Sequence, residues 1–176
     1  MELIPPSARY KDSFIEAVKE FRSESATSMR HHFYEKLATH ELEGNFDSYV
    51  ERCRESAEGK NLPKGYVPET EYWLVEGREF IGRINIRHML NQHLLEIGGH
   101  IGYDIRPSER GKGYGKKILA LALPNAKELG IDRVLVTCDE TNVGSRKIIE
   151  ANRGVFEDKR PNPEGGPDKL RFWLQL

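Results

Sequence analysis

An alternating apolar stretch that ends at Ile105 is stopped by Pro107. It is followed by Arg110-Gly111-Lys112-Gly113-Tyr114-Gly115, by a run with helical spacing, and by Val134-Leu135-Val136-Thr137-Cys138. No other segment constrains the fold as strongly. A strand, a glycine turn, a helix and a second strand, in that order, make the helix carry the chain back across a sheet. The two strands therefore run parallel, and the second, apolar almost throughout, lies buried. Ile118, Leu121, Ala122, Ala126 and Leu129 share one face of the helix, and Gly130 ends it. Pro124 removes one backbone donor inside it and predicts a kink or a weakened turn.

The remaining elements fit around this unit, and 176 residues suit a single domain over residues 1–176. Glu2 to Ile4 read as a short strand before Pro5-Pro6. The capping boxes Ser13-x-x-Glu16 and Ser48-x-x-Glu51 predict helix starts, the first helix carrying Phe14, Ile15, Val18 and Phe21, the second Val50, Cys53 and Ala57. Between them, Ser25 to His40 is ambiguous. Tyr72 to Val75, a turn at Glu76-Gly77, and Ile84 and Ile86 alternating with Arg83, Asn85 and Arg87 form an antiparallel hairpin. A third strand is expected from Leu95 to Ile105, with Ile97, Ile101, Tyr103 and Ile105 on one side and Glu96, His100 and Asp104 on the other. After the buried strand, Thr141 or Asn142 caps a helix through Ile148 and Ile149. Strands from Val155 to Lys159 and from Leu170 to Leu176 close the chain.

Composition excludes several classes of function. Lysine and arginine number 27 against 28 acids, so nucleic acid and anionic membranes are not expected partners, and any anion site is local. No stretch approaches the roughly 20 apolar residues of a bilayer span, and the first residues lack a basic segment followed by an apolar one. A cytoplasmic protein is expected. Cys53 and Cys138 lie far apart without metal-ligand spacing, which suits two reduced thiols and no metal.

The glycine turn is where an anion would bind. Glycines at alternate positions let the backbone bring its amide hydrogens close to a phosphate, and a helix starting at once adds the partial positive charge of its N-terminus. A Walker loop is excluded, because Arg110 stands where its first glycine belongs and Lys117 replaces the magnesium-binding hydroxyl. The G-x-G-x-G spacing also departs from the dinucleotide fingerprint. What remains is R-x-x-G-x-G at Arg110, Gly113 and Gly115, after a strand and before an amphipathic helix. Asn142-x-x-Ser145-x-x-Ile148, then Gly154-Val155-Phe156, follow downstream, and Phe80-Ile81-Gly82-Arg83-Ile84 precede it. This set of motifs resembles the acyl-CoA unit of the GNAT acetyltransferase superfamily from about Glu71 to the C-terminus.

The resemblance implies an α/β fold: a mixed, mostly antiparallel central sheet of about seven strands flanked by about four helices. It implies acetyl-CoA as donor and a primary amine of a small molecule or peptide as acceptor, the amine attacking the thioester directly. Tyr103, Asp104 and Ile105 would pair with the pantetheine arm as an added strand would. Arg110, Gly111, Lys112, Gly113, Tyr114, Gly115 and Lys116 would hold the diphosphate, and Asn142 and Ser145 would flank the arm. The individual lysines, and Asn142 as a helix cap, also have purely structural readings.

An ammonium cannot attack, so a base or a water chain must take its proton. Glu96 and His100 are the candidate catalytic residues. Against that role, His100 could be a structural histidine, and Glu96 could pair with Arg87. Tyr72, Arg87, His88 and Asn91 could line the acceptor cleft. Where many members of the superfamily have a tyrosine to protonate the leaving thiolate, this chain has Ile149, with Tyr103, Tyr114 and Tyr72 as substitutes. That departure leaves a second function open, a non-catalytic acyl-CoA-binding sensor. Cys138 ends its strand near the expected thiol, though buried cysteines are usually packing residues. The C-terminal hairpin could supply the edge of a homodimer.

Overall fold

The computed structural model describes residues 1–24, 34, 37 and 39–176. Among the described residues one sheet runs in the order β1-β2-β3-β4-β5-β7-β6. Its strands are β1 (Glu2–Ile4), β2 (Glu69–Glu76), β3 (Glu79–Arg87), β4 (Ile101–Ile105), β5 (Arg133–Asp139), β6 (Val155–Arg160) and β7 (Lys169–Gln175). All neighbours are antiparallel except β4 and β5, which the intervening helix makes parallel, as expected. The helices are α1 (Lys11–Ser23), α2 (Thr39–Gly44), α3 (Phe46–Ala57), α4 (Tyr114–Glu128) and α5 (Val143–Ala151). The segment from Ser25 to His40, ambiguous in sequence, lies largely outside the described residues.

Strand alternation sorts the core into two clusters, one on each face of the sheet. Trp73, Val75 and Phe80 turn toward α1 and α3, where Phe14 stacks on Trp73 with ring centroids 4.6 Å apart. Leu74, Ile84, Ile86, Val134 and Val136 turn the other way and pack on Ile118, Leu119, Ala122 and Ala126 of α4. These four α4 residues are fully buried, and the helix runs unbroken through Pro124. The helix continues past the proline, and burial of that face offsets the missing donor.

Neither capping box caps a helix. The chain enters α1 through a turn at Ala8–Tyr10 capped by Ser7, and Ser13, inside α1, instead accepts from the Phe80 N–H at 2.9 Å. Asn45 caps α3 by accepting from the Ser48 N–H at 3.4 Å. A third correction bears on the site: the strand expected from Leu95 begins only at Ile101. Residues Leu94–Gly98 coil into a π-helical turn whose first N–H is held by Asn91 Oδ1 at 2.9 Å. Gly99, at φ +70, then passes so close to β5 that a Cβ would lie 2.7 Å from the Leu135 carbonyl oxygen. A glycine pair at Gly98 and Gly99 thus ends the turn and admits the strand.

Candidate active site

β4 and β5 touch and then part. His100 donates its N–H to the Leu135 carbonyl at 2.7 Å, Ile101 pairs with Val136, and no later residue of β4 is in register with β5. β4 continues along β3 to Ile105, while β5 stays with β7. Arg87 donates to the His100 carbonyl and Arg106 to that of Ile81. By the two-residue alternation of an antiparallel ladder, the peptide groups of Gly102 and Asp104 therefore serve β3, and those of Tyr103 and Ile105 face the gap. A cleft of about 920 Å³ opens there, lined by both of these residues, by the glycine turn and by the start of α5.

The glycine turn forms the end of the cleft. Gly111 at φ +79 and Gly113 at φ +86 take left-handed backbone that other residues resist, and Gly113 delivers the chain into α4 with no side-chain cap. The first amides of α4 thus point outward beside the cleft. Gly115 serves packing: a Cβ there would run into Ile148 of α5. Arg110 donates Nε to the Ile105 carbonyl at 3.1 Å and pairs with Glu24, at the end of α1, at 2.7 and 2.9 Å. Lys116 lines the cleft, whereas Lys112 turns out to Glu109 at 2.9 Å. Tyr114 lines it too, its hydroxyl reaching Glu76 at 3.3 Å.

Across the gap, Asn142 caps α5 by accepting from the Ser145 N–H at 3.1 Å. Its Nδ2 is buried and meets no hydrogen-bond partner among the described residues. That orphan amide lies on a residue lining the cleft, so a ligand carbonyl would satisfy it. Tyr103 reaches across to α5, its hydroxyl 2.8 Å from Ser145 Oγ. Asp104 also lines the cleft, but its carboxylate is on the opposite face, accepting from Arg83 Nε at 3.2 Å.

The candidate bases are placed differently from expectation. Glu96 sits on the π-helical turn rather than on the strand, and pairs with Arg160 at 3.3 Å instead of Arg87. His100 directly precedes β4 rather than lying within the strand; it is buried, and its Nδ1 accepts from the Leu135 N–H at 2.9 Å. Burial, with Arg87 nearby, pushes its pKa down to about 4. The neutral ring then carries its proton on Nε2 and has no free lone pair. A base role conflicts with that geometry. Ile149 is fully buried in the core, as is Cys138 nearly so, and neither lines the cleft.

A family model described as the acetyltransferase (GNAT) domain matches residues 9–154. The chain belongs to the GNAT acetyltransferase family. No curated protein matches it in sequence. Solved GNAT structures share the fold at low identity. A Salmonella typhimurium acetyltransferase that modifies the N-terminal serine of ribosomal protein L7/L12 superposes with TM-score 0.68 at 16% identity, covering 99% of this chain and 94% of that one. Mycobacterium smegmatis RimJ, in complex with CoA-disulfide, gives 0.68 at 16% identity over 98% and 80%. MccE, the microcin C7 self-immunity acetyltransferase with acetyl-CoA and AMP, gives 0.67 at 12% identity over 99% and 91%.

In this GNAT chain the opposite face of the sheet carries a polar network that sequence reasoning missed. Arg83 bridges Glu71, at 3.0 Å, and Asp104. The Tyr49 hydroxyl and the Trp73 indole both donate to Glu71, at 2.7 and 2.8 Å. Burial and the Glu71 charge hold the Tyr49 hydroxyl and the Cys53 thiol well above their ordinary pKa values, so both stay protonated. A pocket of about 200 Å³ lies between α3 and β2, bordered by Cys53, Glu69 and Glu71 among others. Of the residues expected to line an acceptor cleft, Arg87 shares this face and pairs with Glu69, at 3.6 Å. Tyr72 packs on the other core cluster, His88 bonds Thr70 at 2.8 Å, and Asn91 caps the π-helical turn. Glu69 of β2 opposite Arg87 of β3, and Glu71 diagonal to Arg83, were the available signal, readable only once the register was known.

Proposed function

We propose that the chain is an N-acetyltransferase that moves the acetyl group of acetyl-CoA to a primary amine of a small molecule or peptide. The observation that carries this is the parting of β4 and β5 beside an uncapped helix N-terminus. It offers an extended ligand a row of peptide groups at one end and anion-binding amides at the other. Tyr103 and Ile105 would pair with the pantetheine arm, Asn142 Nδ2 would donate to one of its carbonyls, and the amides after Gly113, with Lys116 and Arg110, would hold the diphosphate. The Salmonella structure's described action on an N-terminal serine supports an amine acceptor.

In the reaction the neutral amine attacks the thioester carbonyl carbon. A C–N bond forms, the C–S bond breaks, and the thiolate leaves. The ammonium that entered loses two protons, one ending on the CoA sulfur and one in solvent. A main-chain N–H of β4 facing the gap would donate to the thioester oxygen as charge develops. With Ile149 buried, the Tyr103 hydroxyl, held by Ser145, is the donor the cleft offers to the thiolate. Holding amine and thioester together supplies much of the acceleration.

Calorimetric titration with acetyl-CoA, followed by thiol release with a panel of amines, tests this. Binding with amine-dependent release is expected. Tight binding without release across the panel would select the sensor function, and absence of binding would overturn both.

A further inference from the structure

Glu69 and Glu71 stand two residues apart on the same face of β2, yet their surroundings differ. Both oxygens of Glu71 are occupied, by Tyr49 and Trp73 on one and Arg83 on the other. Glu69 uses one oxygen. Asn85 Nδ2 donates to its Oε2 at 2.7 Å, and Arg87 Nε lies 3.6 Å from that same atom. Among the described residues nothing donates to Glu69 Oε1, and Glu69 borders the pocket beneath α3.

Asn85 extends this arrangement toward the cleft. It is only 7% exposed, and its bond to a carboxylate decides the orientation of the amide: nitrogen toward Glu69, oxygen away. The oxygen lies over Gly102 of β4, where an added Cβ would come within 2.9 Å of Oδ1. Among the described residues no group donates to that oxygen either. Gly102 falls between Ile101, the residue of β4 in register with β5, and Tyr103, whose peptide groups face the open cleft. Two spare acceptor oxygens, one charged and one neutral, therefore lead from the pocket to the place where the strands part.

A group with several N–H donors and a positive charge matches them. A primary ammonium has three donors, and its bond to a carboxylate is stronger than a neutral one. We propose that Glu69 and Asn85 seat the acceptor's ammonium, so that the acceptor is a basic primary amine recognised in its charged form before it reaches the thioester. This rests on the acetyl-transfer function proposed above. Gly102 leaves space for the Asn85 amide, and the saturated Glu71 serves as scaffold.

Steady-state rates with three probes test the seat: propylamine and a short peptide with a free N-terminus, both basic amines, and hydroxylamine, uncharged at neutral pH. Glu69→Gln keeps shape and an acceptor for Asn85 but removes the charge. It is expected to raise KM for the two basic amines about tenfold, with KM for hydroxylamine and the acetyl-CoA dissociation constant changed by less than about twofold. Asn85→Ala, checked for an unchanged melting temperature, is expected to raise KM for the basic amines with acetyl-CoA affinity retained. Unchanged KM for the basic amines in Glu69→Gln, or an equal rise for all three probes, overturns the seat while leaving acetyl transfer standing. If the native protein transfers to none of the probes, the seat falls together with the function it rests on.

Discussion

The cleft between β4 and β5 draws most of its lining from two short runs of chain, Tyr103 to Lys116 and Asn142 to Ile148, and much of what it presents is backbone. The polar face behind it assembles Tyr49 of α3, Glu71 of β2, Arg83 of β3 and Asp104 of β4 through side chains. Damage should therefore spread differently. A backbone site is sensitive to main-chain conformation, whereas a buried network is sensitive to the loss of any charge.

The comparison breaks most easily at Arg83. Arg83→Met leaves the Glu71 and Asp104 carboxylates, 9% and 13% exposed, without their cation. Urea denaturation should show a loss of about 3–5 kcal/mol; a loss below 1 kcal/mol would mean the network is not a unit.

His100 stands at the boundary between the regions. Its folded pKa of about 4 lies below its ordinary 6.5, so the folded state binds fewer protons than the unfolded one. Its contribution is intact above pH 6.5 and is lost as pH falls through 4, on the order of 3 kcal/mol. In His100→Gln that part of the acid sensitivity should vanish from stability measured against pH. An unchanged profile would show that the imidazole charges freely in the fold.

On the cleft side, Gly113→Val places a β-branched residue at φ +86. Nothing lies within 4 Å of the new Cβ, so the penalty is conformational and falls on the turn. Acetyl-CoA affinity should drop about thirtyfold by calorimetry, with stability little changed. The smallest effect is expected at Glu24, whose carboxylate occupies Arg110 in a pair that is 47% and 35% exposed. Glu24→Gln frees the guanidinium for a diphosphate, and acetyl-CoA affinity should rise about threefold. A fall instead would make Glu24 a support for Arg110 rather than a competitor.

The two regions also differed in legibility. Pro107, the alternating glycines and the helical run after them act within a few residues of one another, so their spacing carried the β-loop-α-β unit and the parallel strand pair. Asn142 was legible for the same reason, as a cap on the next element. Glu96 was misplaced because alternation around Ile97 imitated a strand, while Gly98 and Gly99 had to meet β5 before the turn became apparent. Ser13 and Ser48 matched capping boxes, but their partners were decided by tertiary contacts and by Asn45.

By itself the sequence determined the strand order around the glycine turn, the family resemblance and the cleft's main-chain chemistry, since backbone conformation depends on neighbours along the chain. Only the tertiary structure decided that His100 is spent on Leu135, that Glu71 is saturated and that, among the described residues, Glu69 and Asn85 keep oxygens to spare. Those properties depend on strand register and burial, which bring together residues far apart in sequence, and a hydrogen-bond partner cannot be assigned until both ends are in place.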